Sequence, residues 1–214
     1  MTPSSRTYRL LALLAFVLGL ALRLSFVERR LAERPREKYW YAKVTFEPRL
    51  ARFRWGSDEY LVYVSTAVNA YRGRGLVPDY NQAVDGVAVY PPLESLFVLA
   101  VFAAARDVVS PRALLSVQAV LGALAVPVGA ALARRLVTPG AGILLAFLIA
   151  VHPSFIFWAA YLMTESNYLL GLVVLLYLLA RWGEDLRPAW AVAVGVCLGS
   201  LDLLRVNGLY LGLV

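Results

Sequence analysis

Apolar residues gather in runs at about 8–27, 93–105, 113–133, 141–162, 167–180 and 189–214, separated by short polar breaks. The one long polar interval, 28–90, is rich in Arg, Tyr and Trp. A helix of about twenty apolar residues crosses a ~30 Å hydrocarbon core, and the first run has that length. The pattern predicts an all-α, polytopic transmembrane helix bundle of about five spanning helices. A long first outer loop, 28–111, would contain juxtamembrane helices. There is no internal repeat and no low-complexity linker.

The run 93–105 is about 20 Å long as a helix, short for a crossing. Pro91-Pro92 gives it a rigid start and Arg106-Asp107 a charged end, so it reads as a helix on or dipping into the outer surface. The positive-inside rule then places Arg6, Arg9, Arg134, Arg135, Arg181 and Arg187 together inside. The expected path runs outward through 8–27, inward through 113–133, outward through 141–162, inward through 167–180 and outward through 189–214. His152-Pro153 marks a kink in the third crossing. The fourth run is short and borrows from Met163-Thr164-Glu165 or Arg181-Trp182. The chain stops at Val214 without a polar tail, so residues 1–214 read as the amino-terminal module of a longer protein with carboxy-terminal helices missing.

Composition agrees. Hydrophobic residues make up 60% of the chain and its mean hydropathy is +0.66, which marks an integral membrane protein. The first run lacks a small-x-small cleavage pattern and ends in Glu28-Arg29-Arg30, so it is no cleavable signal peptide. Arg23, one turn from its end, would snorkel to the interface. The net charge of +7 is spread over loops and helix ends, which does not point to nucleic acid. A lone Cys197 and a single histidine, His152, exclude a disulfide and a multi-histidine metal centre.

Candidate chemistry sits between the runs. Ser57 is a good N-cap, and Asp58-Glu59 would complement the dipole of a helix beginning there. Leu61, Val64, Val68 and Tyr71 then give helical spacing for a face resting on the membrane. A carboxylate fixed at the interface can also act as a general base on a hydroxyl. Glu165 lies between two apolar runs, either as a solvated turn acid or as a functional one facing Asp58. Arg205 follows Asp202 by one turn, which allows an i,i+3 pair or a phosphate contact. Tyr90-Pro91-Pro92 is a rigid corner, and Gly73-Arg74-Gly75 a plain turn. Asp79, Asp85 and Glu94 are loop carboxylates whose spacing matches no established metal site.

Several motifs stand in a fixed order: Asp58-Glu59, Tyr71-Arg72-Gly73-Arg74-Gly75, Tyr90-Pro91-Pro92-Leu93, Leu132-Ala133-Arg134-Arg135-Leu136, His152-Pro153, Met163-Thr164-Glu165, and Gly199 to Arg205. In that order they resemble the GT-C superfamily of membrane glycosyltransferases, in particular its protein O-mannosyltransferase and aminoarabinose-transferase type. Tyr90 stands where some members have Lys, Leu204 where many have Thr, and Asp202 where they are usually apolar. The resemblance implies Asp58 as catalytic base, Glu59 and Glu165 as supporting acids, Arg205 as the phosphate-binding residue, and Tyr90 and Pro91 in a substrate loop. It implies transfer of a sugar from a polyprenyl-phosphate donor to an acceptor hydroxyl on protein, lipid or glycan, at the outer face of a prokaryotic cytoplasmic membrane. Some members use a divalent metal ion and others none; Asp58 with Glu165 could hold one, but two acids do not define a site. The other readings are a non-catalytic membrane subunit that binds lipid-linked sugar or scaffolds a partner, and a small-solute transporter.

Overall fold

The structure, a computed structural model, describes residues 4–32, 58–78, 91–105 and 111–205, except the side chains of 58–61 and 111. The described residues form eight helices and no strand: α1 (Ser5–Ala32), α2 (Asp58–Tyr71), α3 (Leu93–Ala105), α4 (Pro111–Leu136), α5 (Pro139–Val151), α6 (Pro153–Ala159), α7 (Thr164–Glu184) and α8 (Pro188–Leu204). Helices α1, α4 and α7 are long and apolar enough to cross a membrane, and α5 with α6 makes a fourth candidate, bent by 50° at its break. The described part of the last run, α8, has 17 residues. Residues 206–214 lie outside the described residues.

Prolines set many of the boundaries, because a proline is tolerated in a helix's first turn and breaks its interior. Pro139 opens α5 behind Thr138, whose side chain accepts a hydrogen bond from the Ala141 amide at 3.1 Å. Pro188 opens α8. Pro153 opens α6 and ends α5, which produces the kink expected at His152-Pro153. The α7 helix borrows at both ends, beginning at Thr164 and running to Glu184. Gly73 and Gly75 adopt positive φ in the turn after α2.

The break between α5 and α6 leaves two carbonyls without their normal donors. Pro153 has no N–H for the Ile149 oxygen. The Ser154 amide, due to reach Ala150, bonds instead to Nδ1 of His152 at 3.2 Å. Arg23 supplies what is missing: Nη2 donates to Ile149 O at 3.1 Å, and Nη1 to Ala150 O at 3.3 Å and Gly19 O at 2.8 Å. Arg23 is 0% exposed, so the snorkelling expected from its position is corrected. Its guanidinium turns inward because the carbonyls freed at the break offer it acceptors inside the bundle.

Close backbone approach holds α1, α4 and α5 together. A Cβ on Gly142 would stand 2.6 Å from Ala130 O and 3.0 Å from the Tyr8 hydroxyl, so only glycine fits there. Tyr8 donates to that same Ala130 oxygen at 2.9 Å, and the Arg134 guanidinium lies 4.6 Å over its ring. Arg135 chelates Glu184 at 2.6 and 2.7 Å. These contacts gather the start of α1, the ends of α4 and α7, and the start of α5 at one end of the bundle, which is rich in arginine. At the other end Arg112 donates to Glu28 at 2.8 Å, Phe26 meets Phe157, and Arg30 lies over Tyr161.

Helices α2 and α3 complete that second end. Val64 and Val68 of α2 are buried with Val98 and Phe102 of α3, Val27 of α1 and Leu114 of α4. Val64 and Val68 of the α2 stripe thus face protein rather than a membrane surface, while Tyr71 is exposed, and α3 buries one face, Glu94, Ser95, Val98, Val101 and Phe102. Periodicity shows that a face is apolar but not what covers it.

Replacing Arg23 with Met should lower unfolding stability by about 1–3 kcal/mol, the cost of stranding buried carbonyls. Gly142→Ala should also destabilise, because Ala130 O is fixed backbone. Dodecyl sulfate titration in mixed micelles measures both, and unchanged midpoints would refute this account of the core.

Candidate functional site

The second end carries a polar group drawn from α3, α7 and α8. Met163 caps α7 in extended conformation without a side-chain bond, and Glu165 enters the first helical turn, where a carboxylate complements the dipole. Glu165 is therefore a helical residue and not a turn acid. Its Oε1 accepts from Nη1 of Arg205 at 3.2 Å, with side chains 19% and 45% exposed. Arg205 terminates α8 as its C-cap. It pairs across to α7 in place of the i,i+3 pair with Asp202 that its spacing allowed.

Two residues further along α7, the Asn167 amide donates to Oε2 of Glu94 at 2.9 Å. Glu94 is 0% exposed in the first turn of α3, which corrects its reading as a loop carboxylate. Burial raises its pKa to about 7; the Asn167 bond opposes this and the facing Glu165 adds to it. Among the described residues, Oε1 of Glu94, Oε2 of Glu165, Oδ1 of Asn167 and Oδ1 of Asp202 are buried without a hydrogen-bond partner. The group therefore holds, among the described residues, more acceptors than donors, and its cation is Arg205.

Gln118 of α4 is fully buried. Its amide nitrogen donates to Trp158 O at 2.8 Å and to Tyr161 O, which caps the end of α6 and fixes the turn into α7. The Met163 amide closes that turn on Tyr161 O at 2.9 Å.

Glu165 and Arg205 are thus brought into contact. Asp58 and Glu59 open α2, the helix packed on α3 at this same end, while their side chains lie outside the described residues. Tyr90 also lies outside them, and Pro91 is half-buried just ahead of α3. Sequence reasoning missed Glu94, Asn167 and Gln118 as a set. Each sits in an apolar run, and a polar residue in such a run was the available signal. No group of three His, Cys, Asp or Glu side chains gathers as metal ligands among the described residues. The arrangement can hold an anionic group on the half-exposed Arg205 and exchange a proton at Glu94 near neutrality.

Between about pH 4.5 and 7 the folded chain keeps a proton on Glu94 that the unfolded chain has lost. The stability contributed by Glu94 therefore falls as pH rises through that window. Glu94→Gln should flatten this dependence and gain on the natural chain at pH 8. Thermal unfolding in detergent from pH 5 to 8 reads the slope, and parallel profiles for the two chains would show that Glu94 ionises normally.

Compared with protein-family models, curated proteins and solved structures, the chain matches none.

Proposed function

We propose that this chain transfers a sugar from a polyprenyl-phosphate-linked donor to an acceptor hydroxyl at one face of a membrane. The observation that carries the reading is the pairing of Glu165 with a half-exposed Arg205 at the end of the bundle where α2, opened by Asp58, also packs. The ordered motifs that resemble GT-C glycosyltransferases assign roles to these same residues. The arginine-rich end, with Arg6, Arg9, Arg134 and Arg135, is the cytoplasmic one by the positive-inside rule, which puts the reaction on the outer face. In this topology the run 189–214 supplies a fifth crossing.

Asp58 takes the proton of the acceptor hydroxyl as that oxygen bonds to the anomeric carbon. The bond from that carbon to the phosphate oxygen breaks, and its electron pair leaves with the polyprenyl phosphate. One displacement inverts the anomeric centre. Arg205 meets the charge on the departing phosphate. A guanidinium has five N–H donors and Glu165 engages it at Nη1, so donors remain for phosphate oxygens. Glu165 supports the site by holding Arg205, and Glu59 by adding a second carboxylate beside Asp58. Near the interface the lower dielectric strengthens the arginine–phosphate contact relative to bulk water.

Asp58→Asn should reduce transfer from a labelled polyprenyl-phosphate sugar pool in native membranes on the order of 10²–10⁴-fold, the usual size of a general-base effect. Arg205→Gln should also reduce it, with Arg205→Lys recovering part. Equal transfer by Asp58→Asn and the natural chain, at equal expression, would leave the non-catalytic subunit as the reading.

A further inference from the structure

A second feature lies at the opposite, arginine-rich end. Helices α1 and α4 part there around a cleft of about 410 Å³, whose walls include Tyr8, Ala12 and Phe16 from α1 and Pro127 and Ala131 from α4. The sequence explains the gap. Pro127 interrupts the hydrogen-bond ladder of α4, and Ala12 and Ala131 are too small to fill the space between the helices. Leu13 and Leu124 on the rim are 57% and 38% exposed, so the cleft opens on the apolar outer side of the bundle. Tyr8 closes its depth, pinned by its bond to Ala130 O.

Among the described residues, charge at the mouth has one sign. Arg9 lines the cleft and is exposed, and Arg6 precedes it by one turn of α1. Arg134 stacks on Tyr8. The one acid of α1 is Glu28, at the far end of that helix, and α4 has none. The nearest acids of the neighbouring segment, Glu184 and Asp185, are taken by Arg135 and Arg187. Apolar walls beneath exposed guanidinium groups fit an amphiphile with an anionic head. A chain-shaped apolar space alone would accept any lipid; the arginines make the distinction.

We infer that this cleft seats an acyl chain of an anionic phospholipid, with the lipid phosphate held by Arg9 and Arg6. The site is separate from the Glu165–Arg205 group, so it stands whether or not the chain transfers sugar. Basic residues at the membrane surface each contribute enough to shift anionic lipid affinity about fivefold.

The test uses the purified full chain in mild detergent, titrated with phosphatidylglycerol or phosphatidylcholine of matched acyl chains. Native mass spectrometry counts the lipid retained. Phosphatidylglycerol should be held in preference, Arg9→Gln should cut that preference about fivefold, and Ala131→Phe should lower retention by filling the cleft. Arg9 and Ala131 are not core residues, so both variants should fold, and the thermal unfolding midpoint checks this. Equal retention of the two lipids overturns the inference. So does an unchanged preference in Arg9→Gln, unchanged retention in Ala131→Phe, or capture of polyprenyl phosphate without any preference for phosphatidylglycerol.

Discussion

Two backbone carbonyls govern how this bundle assembles. Ile149 and Ala150 lose their helical donors where Pro153 breaks the chain, and Arg23 from another helix restores them. Inside hydrocarbon an unpaired carbonyl and an unpaired guanidinium are each costly, and joining them satisfies both carbonyls and both Nη groups, leaving Nε of Arg23 unpartnered among the described residues. The contact is directional, unlike apolar packing, so it fixes the register of α1 against α5. The neighbouring Gly142–Ala130 approach then sets α4 beside them, and the rest of the helices follow from these three.

The break matters for the polar group as well. It turns α6 aside, and Gln118 caps α6 and aims the next turn, so Thr164 and Glu165 begin α7 at a defined height. Asn167 then meets Glu94, and α8 returns Arg205 to Glu165. Arg23, Gln118, Asn167 and Arg205 therefore mark a path through the bundle from its middle to one end, each donating to a group outside its own helix. Such contacts give a membrane bundle a specificity that lipid-like side chains cannot provide.

Much of this was legible in the chain. The bounds of α3 follow from Pro91-Pro92 before it and Arg106-Asp107 after it, and the kink from His152-Pro153. The Arg134–Tyr8, Arg135–Glu184 and Gly142–Ala130 contacts bring the starts of α1 and α5 and the ends of α4 and α7 to one end, as the grouping of arginines suggested. What the sequence hid were partners. Arg23 looks interfacial when only its distance from a helix end is considered, because the carbonyls it meets lie 126 and 127 residues away. Glu94 looked solvated because nothing local marks Asn167 as its donor. Val64 and Val68 form a stripe that suits lipid or protein equally. Of the candidate site, the Glu165–Arg205 contact joins two residues singled out separately, whereas Glu94 and Gln118 emerge only from tertiary packing.

The distance in sequence between Arg23 and its acceptors also has a consequence for biosynthesis. During synthesis the first helix leaves the ribosome long before α5 exists. An arginine at the centre of a lone helix costs about 2.5–3.5 kcal/mol on the insertion scale, and Arg23, one turn from the end of its run, costs less until it turns inward. The leucines and alanines around it must carry α1 into the bilayer against that cost. Its charge is sheltered only when the α5–α6 break follows, so a nascent chain cut short before Ile149 would present a membrane segment with an unmet cation.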